Sequence, residues 1–468
     1  MQKPSHSARS VMLGTMPMGR LVPKVSVPIM VSMLVQALYN VVDSIFVSRY
    51  DPNAMTAVSL AYPFQMLMIA LSVGMGTGIS SLISRKLGAD ARGEARQATW
   101  NGLLIQLIGS GLFVLLGAFL APTLMRLVVS GNLQDADLIL DMGVTYLRIV
   151  TCASLGAFMA ILMERMLQST GNTVLSMVTQ LSGALTNIIL DPIMIFGLLG
   201  FPALGVAGAA IATVIGQFVS AGLGFTFNQI KNLELRMDPR DFKPNWRIMQ
   251  AIFAVGLPST VMQAIGSVMN VGMNAILSTF PEGNAAVNVL NVYFKLQSFV
   301  FMPVFGLGTG MIAIVGYNYG ARLKDRVYQA IRVALTYALA ILAAGTLIFQ
   351  IFPGALMSIF QADGSNAVAA QMARLGVVAM RIISLNFVFA AVGITLSNVF
   401  QAVGKGFYSM VISILRQLLV LLPSALLLKA VFNDVNAVWW SFTIAEAFSL
   451  VISLLFYRKL RREVLEKL

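Results

Sequence analysis

The chain has 468 residues, of which 57% are hydrophobic and only 11% are charged, and its mean hydropathy is +0.81. A soluble protein of this length cannot bury so much apolar surface with so few charges, so the composition excludes a soluble globular domain and predicts an integral membrane protein. The formal net charge of +13 does not indicate nucleic-acid binding, because the basic residues form short clusters between apolar runs.

Cysteine and histidine are almost absent from the sequence. The single cysteine, Cys152, cannot form an internal disulfide, and the single histidine, His6, cannot build a zinc site of the usual His/Cys kind. The sequence has neither a phosphate-binding loop nor an H-E-x-x-H motif, so no ATP-driven engine, no enzymatic activity and no cofactor are expected. The stretch 1–20 holds no short apolar core with a cleavage site, so we expect no cleaved signal peptide.

Apolar runs long enough to cross a bilayer recur twelve times along the chain. A bilayer core requires about 20 apolar residues per helix, and these runs do not alternate as the strands of a membrane barrel do. The fold class is therefore predicted as all-α, a polytopic membrane protein with twelve transmembrane helices. These helices are expected near residues 25–48, 54–84, 97–121, 142–166, 173–197, 204–228, 248–279, 285–316, 328–352, 372–400, 406–431 and 434–457.

The basic residues predict the orientation of these helices. If the N-terminus lies inside, 24 of the 32 Lys and Arg residues fall in the inner segments and four fall in the outer segments. Both termini are therefore expected in the cytoplasm. The longest polar stretch, "KNLELRMDPRDFKPNWR" at 231–247, lies between the sixth and seventh helices and is predicted to be a cytoplasmic linker.

The two halves of the chain match each other. Residues 73–89, "VGMGTGISSLISRKLGA", align with residues 305–321, "FGLGTGMIAIVGYNYGA", at an offset of 232, and Pro28 matches Pro258 at an offset of 230. Each half has an even number of helices, so both run in the same direction and are predicted to form two pseudo-symmetric six-helix bundles around a central cleft. The shared G-x-G-T-G stretch is interpreted as a helix-packing motif.

The predicted domain boundaries follow from this repeat. They are an N-terminal tail at 1–20, an N-terminal bundle at 21–230, the linker at 231–247, a C-terminal bundle at 248–457 and a C-terminal tail at 458–468.

Two acids inside predicted helices are the leading candidates for function. Asp43 and Asp191 each lie about 18 residues into a helix that starts inside, so they are expected at similar depth in the outer half of the membrane. Asn40 and Asn187 lie one turn before them, and Tyr39 lies one turn before Asp43. These oxygens are suited to hold a proton or a small hard cation such as Na⁺. The alternative is a structural acid satisfied by its neighbours.

The repeat is broken at both acids, because the aligned second half has Met273 and Ser424 at these positions. Only the N-terminal half is therefore expected to couple transport to a cation. Pro28 precedes Asp43 in the same predicted helix, and a proline bends a helix, so we expect a hinge there that responds to protonation.

The second half holds other ionisable residues inside its helices. They are Lys295, Arg381, Arg416 and Glu446. Two interpretations stay open. In the first, these residues line the cleft and bind an anionic group; in the second, Glu446 pairs with one of the basic residues for structural reasons. Gln65 and Gln297 are also predicted to line the cleft.

The stretches "QALYNVVDSIFVSRY" (36–50), "QSTGNTVLSMVTQ" (168–180), "LTNIILDPIMIFG" (185–197) and "FMPVFGLGTGMIAIVGYNYGA" (301–321) resemble the multidrug and toxic compound extrusion (MATE) family, in its DinF-like and MepA-like bacterial branch. The resemblance covers roughly residues 20–457. It implies a secondary antiporter, a monomer in the bacterial plasma (inner) membrane in contact with lipid. Such a protein exports small organic cations and amphipathic drugs against inward H⁺ or Na⁺.

In the matching branch of the family, the cation-responsive site corresponds to Pro28, Tyr39, Asp43, Asn187 and Asp191 of this chain. The second half departs from some relatives, because its first helix has no acid and its fourth carries Arg381 instead. The resemblance therefore favours H⁺ over Na⁺. The rival prediction is a lipid-linked oligosaccharide flippase of the same wider superfamily, for which a basic cavity is expected.

Overall fold

The computed structural model describes residues 8–129, 135–359 and 367–468, and these ranges contain helices and connecting turns without any strand. His6 and the rest of residues 1–7 lie outside the described residues. The helices of the first half are α1 Ala8–Thr15, α2 Met18–Tyr50, α3 Pro52–Gly88, α4 Arg92–Leu115, α5 Ala121–Val128, α6 Ala136–Cys152, α7 Leu155–Ser169, α8 Thr173–Phe196 and α9 Val206–Lys231. Those of the second half are α10 Trp246–Leu277, α11 Gly283–Gly320, α12 Lys324–Ile351, α13 Pro353–Ser358, α14 Ala367–Ser384, α15 Phe387–Ala402, α16 Gly406–Ile414, α17 Leu422–Phe432, α18 Val435–Val438 and α19 Trp440–Glu463.

Local sequence explains where the long helices begin. The Asp51 carboxylate accepts a hydrogen bond from the Asn53 backbone N–H over 2.7 Å, and Pro52 occupies the first turn of α3. Asn245 caps α10 in the same way, accepting from the Arg247 backbone N–H over 3.0 Å. Between these signals the apolar runs stay helical, because a helix satisfies its own backbone hydrogen bonds in lipid.

The described ranges confirm the prediction of twelve spans. Ten helical stretches are long and apolar enough to cross a membrane, and two further spans are each made of two helices that meet at a bend. The bend between α6 and α7 is 45°, and the bend between Ala370–Ser384 and α15 is 49°. The sequence predicted continuous helices at 142–166 and 372–400, because hydropathy does not show a break.

The two bends occupy the same place in the repeat. They fall at Ser154 and Asn386, which are related by the same offset as the glycine-rich stretches. At each bend the backbone N–H bonds to the carbonyl three residues earlier, from Ser154 to Thr151 over 3.1 Å and from Asn386 to Ile383 over 3.1 Å. This tighter turn interrupts the regular helix and redirects the chain.

The two halves close against each other through their shared glycines. The G-x-G-T-G stretch of α3 packs on α10, and the matching stretch of α11 packs on α2, beside Pro258 and Pro28 respectively. A Cβ on Gly78 would lie 2.9 Å from the Gly256 backbone nitrogen, and one on Gly306 would lie 2.7 Å from the Met30 Cα. The prediction that these glycines serve packing therefore agrees with the contacts.

This closure lies at one membrane face, here called the termini face, which carries α1, residues 231–247, the start of α12 and the C-terminus. Buried positions in α2 are concentrated between Met18 and Ser32, and Val47 is the one buried residue of this helix beyond Ser32. In α3 the residues from Gly74 to Ser84 are all buried, whereas exposed and buried positions alternate nearer Pro52. The cleft therefore opens at the opposite face, here called the outer face.

Residues 8–15 are helical, although the sequence predicted a tail there. The backbone carbonyl oxygen of Leu13 at the end of α1 accepts from the Asn318 side chain over 2.9 Å and from Arg326 over 3.1 Å. Ser10 donates to the buried Glu234 of the linker over 2.6 Å. A helix of 8 residues is too short to give a hydropathy signal, so only these contacts reveal it.

Candidate functional site

The candidate site is formed where α2 and α8 pack together in the outer half of the first bundle. Asp43 lies seven residues before the end of α2, and Asp191 lies five residues before the end of α8. At a rise of about 1.5 Å per residue, both are about 7–10 Å from the outer ends of their helices. Because both helices run from the termini face outward, their acids meet at the same depth.

The two carboxyl groups lie within hydrogen-bonding distance of each other. Asp191 is fully buried, and Asp43 is half-buried at the edge of the cleft. Asp43 Oδ1 and Asp191 Oδ2 are buried and accept no hydrogen bond from any N–H or hydroxyl group of the described chain. Buried oxygens of this kind are satisfied by a proton, a cation or water.

Amide and hydroxyl groups surround the acid pair. Asn187, one turn before Asp191, donates to Asp191 Oδ1 over 3.3 Å and to Thr213 Oγ1 on α9 over 3.3 Å. The Asn187 Oδ1 atom is buried and has no donor among the described residues. Tyr39 lies close enough to both carboxyl groups to interact with them electrostatically.

A second tyrosine joins the site from another helix. Tyr146 on α6 interacts electrostatically with both acids, and its hydroxyl donates to Gln65 Oε1 on α3 over 3.3 Å. Tyr146 and Thr213 were missed from the sequence, because their residue types are common in membrane helices and their spacing to the acids is visible only in three dimensions. Gln65, predicted only as a cleft residue, is connected to the acid pair through Tyr146.

Asn40 and Pro28 lie apart from the acid contact. Asn40 is exposed, and its backbone carbonyl accepts from the Ser44 hydroxyl over 2.8 Å. Pro28 lies in the inner half of α2, and its carbonyl accepts from the Ser32 hydroxyl over 3.0 Å. A proline there removes one backbone hydrogen bond from the helix that carries Asp43, at the point where α2 meets α11.

The ionisable residues of the second half do not form a comparable site among the described residues. Arg416 donates to Glu446 Oε1 over 2.5 Å, which is the structural pairing that the sequence left open. Arg416 lies in a π-helical segment, Leu415–Leu421, that turns it toward α19. Lys295 and Arg381 are exposed on α11 and α14, and Gln297 is half-buried.

The geometry determines what the acid pair can do. Two carboxyl groups in contact share one proton, since two ionised carboxylates in contact repel each other. Asp43 Oδ1, Asp191 Oδ2 and Asn187 Oδ1 are also buried oxygens of the type that binds a small hard cation. The pair can therefore change its charge at a fixed place beside the cleft, with hydroxyl and amide groups to orient the ion.

Two six-helix repeats around a cleft, with paired acids inside one repeat, define the class of secondary transporters. The MatE family model matches residues 28–193 and 258–426, which together make up more than half of the chain. Its two matches begin at Pro28 and Pro258. The chain therefore belongs to the MATE family, as the sequence resemblance predicted, and it is a transporter rather than an enzyme.

Individual relatives cover nearly the whole chain. The multidrug export protein MepA of Staphylococcus haemolyticus is 25% identical over 441 residues, which are 94% of this chain and 93% of that protein. Among solved structures, the outward-facing conformation of a multidrug resistance MATE family transporter of the MOP superfamily is 26% identical, with a TM-score of 0.89, covering 99% of this chain and 100% of that chain.

A second solved structure is equally similar in fold. It is a MOP superfamily transporter from Pyrococcus furiosus, 26% identical with a TM-score of 0.90, covering 99% of this chain and 100% of that chain. That protein is described as having a binding pocket of reverse polarity that suggests a different function.

Proposed function

We propose that the protein is a multidrug exporter that moves organic cations and amphipathic drugs out of the cell in exchange for protons. Relatives named for multidrug export and multidrug resistance support this class of substrate. The observation that carries the coupling step is the contact between the Asp43 and Asp191 carboxyl groups. Two of their buried oxygens, Asp43 Oδ1 and Asp191 Oδ2, have no donor among the described residues.

The mechanism follows from the charge of this pair. When the pair is ionised, its negative charge favours a cationic drug in the adjoining cleft. When a proton arrives from the outer face, the charge is lost and the drug is released to the same side. Protonation also removes the repulsion that keeps the two carboxylates apart, so the outer end of α2 moves relative to α8, with Pro28 as the hinge.

The excess of basic residues at the termini face supports a cytoplasmic orientation of both termini. The proposed location is the bacterial inner membrane, where the electrochemical gradient of protons is directed inward. Closure at the termini face then corresponds to the outward-open state, in which a proton binds from the outer face and the drug is released there.

The proposed coupling ion is H⁺ because the two carboxyl groups are in direct contact, which is the arrangement of a shared proton. Na⁺ is the alternative, with Asp43, Asp191 and Asn187 supplying its oxygen ligands. The two ions are distinguished by which gradient drives efflux.

A second candidate function is transport of an anionic, lipid-linked substrate. Lys295, Arg381 and Arg416 place positive charge in the second half, and one relative of similar fold is described as having reversed pocket polarity. Against this candidate, Arg416 is paired with Glu446 over 2.5 Å, so its charge is compensated within the protein. A cationic drug is therefore the primary proposal.

Gradient-driven efflux from proteoliposomes tests the proposed function. Purified protein is reconstituted with a fluorescent organic cation, and either a pH gradient or a Na⁺ gradient is imposed alone. We expect efflux under the inwardly directed proton gradient and none under the Na⁺ gradient. The proposal fails if neither gradient drives efflux of any organic cation while a lipid-linked anion is moved.

A further inference from the structure

An apolar groove lies on the flank of the first half, away from the cleft. It has a volume of about 490 Å³ and lies between α4, α7 and α9, with linker residues at its rim. Here it is called the linker groove, defined by Leu103, Met159, Met163, Phe218, Phe225 and Met237. None of its lining residues belongs to α2, α3, α8, α10 or α11, so it opens toward lipid rather than toward the transport pathway.

The linker groove has the depth of one membrane leaflet. Met237 and Pro239 of the linker form its rim at the termini face. From Phe218 to the end of α9 at Lys231, the helix extends over about 20 Å. Since one leaflet of the hydrocarbon core is about 15 Å thick, the groove extends from the headgroup region through a leaflet.

The rim of the groove is positively charged. Exposed basic residues of the linker are Lys231, Arg236, Arg240, Lys243 and Arg247. The linker has three acids, of which Asp238 is exposed and accepts a hydrogen bond from the Arg240 backbone N–H over 3.0 Å. The other two are engaged within the protein. Asp241 pairs with Arg96 over 3.2 Å, and Glu234 is buried and accepts from Ser10 over 2.6 Å. The linker therefore presents a basic surface above an apolar groove.

An aromatic side chain of the groove packs against the linker. Trp100 lines the groove, and its indole Nε1 is buried without an acceptor among the described residues. Its ring packs against Phe242 of the linker with centroids 5.6 Å apart. Trp100 lies eight residues into α4, about 12 Å from its start.

We propose that the linker groove binds one anionic phospholipid. Its acyl chain lies along Met163, Phe218 and Phe225, and its phosphate is held by Arg236 and Arg240. Anionic lipids are the occupant because basic segments beside a membrane surface attract negatively charged headgroups. Bound in this way, the lipid stabilises the linker on the first half.

The chain offers a variant that fills the groove without straining the fold. A Cβ on Gly222 would meet nothing within 4 Å, and Gly222 lines the groove, so Gly222→Leu places a side chain where the acyl chain lies. Gly111 on α4 also has nothing within 4 Å of such a Cβ but lies outside the groove. Gly111→Leu is therefore the matched control.

Lipid titration into the delipidated full-length protein tests this proposal, with thermal stability and native mass spectrometry as the readouts. The probes are phosphatidylglycerol and phosphatidylcholine with identical acyl chains. We expect phosphatidylglycerol to bind and raise Tm, and phosphatidylcholine to bind more weakly. Gly222→Leu should abolish the stabilisation, and Gly111→Leu should keep it. Arg236→Gln/Arg240→Gln should weaken phosphatidylglycerol binding roughly 30-fold, from the loss of two surface charges.

The proposal is overturned if the two lipids bind equally, or if Gly222→Leu binds phosphatidylglycerol as the wild type does. It is also overturned if a transported organic cation displaces the lipid from the groove in competition, since the groove would then be a substrate site. Each of these outcomes is independent of which gradient drives efflux.

Discussion

At the residue scale, the proposed coupling depends on two carboxyl groups and the few side chains around them. Asp43 is half-buried at the edge of the cleft, whereas Asp191 is fully buried and accepts a hydrogen bond from Asn187 over 3.3 Å. The buried acid has less access to solvent, so in the proposed mechanism Asp43 is the partner through which a proton exchanges with the cleft. The two acids therefore have different consequences when substituted.

We expect Asn187→Ala to weaken transport without unfolding the protein. The substitution removes the amide that orients Asp191 and leaves Thr213 without its 3.3 Å donor, at a cost of about 1 kcal/mol in stability. The measurement is the proton gradient needed for half-maximal efflux, together with Tm. A matched control is Asn228→Ala, because Asn228 is also a buried amide on a neighbouring helix but bonds to the Met163 carbonyl, away from the acids. Equal effects of the two substitutions on transport would contradict a positioning role for Asn187.

A separate prediction at this scale concerns the Arg416–Glu446 ion pair. Arg416→Met leaves the largely buried Glu446 carboxylate without its 2.5 Å partner, which should cost about 2 kcal/mol of stability. Arg416→Met/Glu446→Leu removes both charges and should recover most of that loss. The measurement is a double-mutant cycle on thermal stability, with efflux recorded in parallel. If the double variant regains stability but not efflux, the pair takes part in transport and its structural assignment is wrong.

At the element scale, two features of α2 matter, namely its proline and its packing on α11. The glycines of α11 let the two helices approach so closely that a Cβ on Gly306 would lie 2.7 Å from the Met30 Cα. Because a packed interface of this kind opens as a unit rather than deforming gradually, its closure defines a distinct state of the transporter.

We expect Gly306→Leu to prevent closure at the termini face. The added side chain meets the α2 backbone, so the halves separate there and the cleft no longer alternates. Spin-label distances between α2 and α11 at the termini face should lengthen by several ångströms, and efflux should be lost. Gly111→Leu again serves as the control, since its side chain has open space. An unchanged distance in Gly306→Leu would contradict this description of the closed state.

The second prediction at the element scale concerns the hinge at Pro28. In the wild type, the distance between the outer ends of α2 and α8 should change as pH is lowered, because protonation of the acid pair alters the packing of α2. In Pro28→Ala the missing backbone hydrogen bond is restored, so the helix is stiffer and the change should be smaller. Distance probes as a function of pH provide the measurement. Identical behaviour of the two proteins would count against a hinge at Pro28.

At the scale of the whole molecule, the fold is duplicated but the chemistry is not. Met273 is buried in the apolar core where the first half has Asp43, and the Ser424 hydroxyl at the position of Asp191 donates to the Val420 carbonyl over 2.6 Å. The second half keeps the packing of the repeat without an acid pair at these positions. The proposed coupling site therefore lies in the first half alone, and the second half is the part of the molecule that moves relative to it.

Much of the fold could be predicted from the sequence, because the hydropathy of membrane helices is a strong local signal. Long apolar runs predicted twelve spans, and the repeated glycines predicted close packing of helices. The bends near Ser154 and Asn386 could not be predicted, since they depend on a local change in hydrogen bonding within apolar sequence. Tyr146 was also missed, because its interaction with the two acids joins α6 to α2 and α8, which are distant in sequence.

Coupling of proton influx to drug efflux through the Asp43–Asp191 pair is the main proposal for this molecule. Simultaneous recording of proton and drug fluxes in proteoliposomes is the decisive experiment, comparing wild type with Asp43→Asn, which keeps the size of the side chain. We expect the wild type to take in protons as it releases drug, and Asp43→Asn to show neither proton uptake nor concentrative drug efflux. Unchanged proton-coupled efflux in Asp43→Asn would contradict a coupling role for the pair.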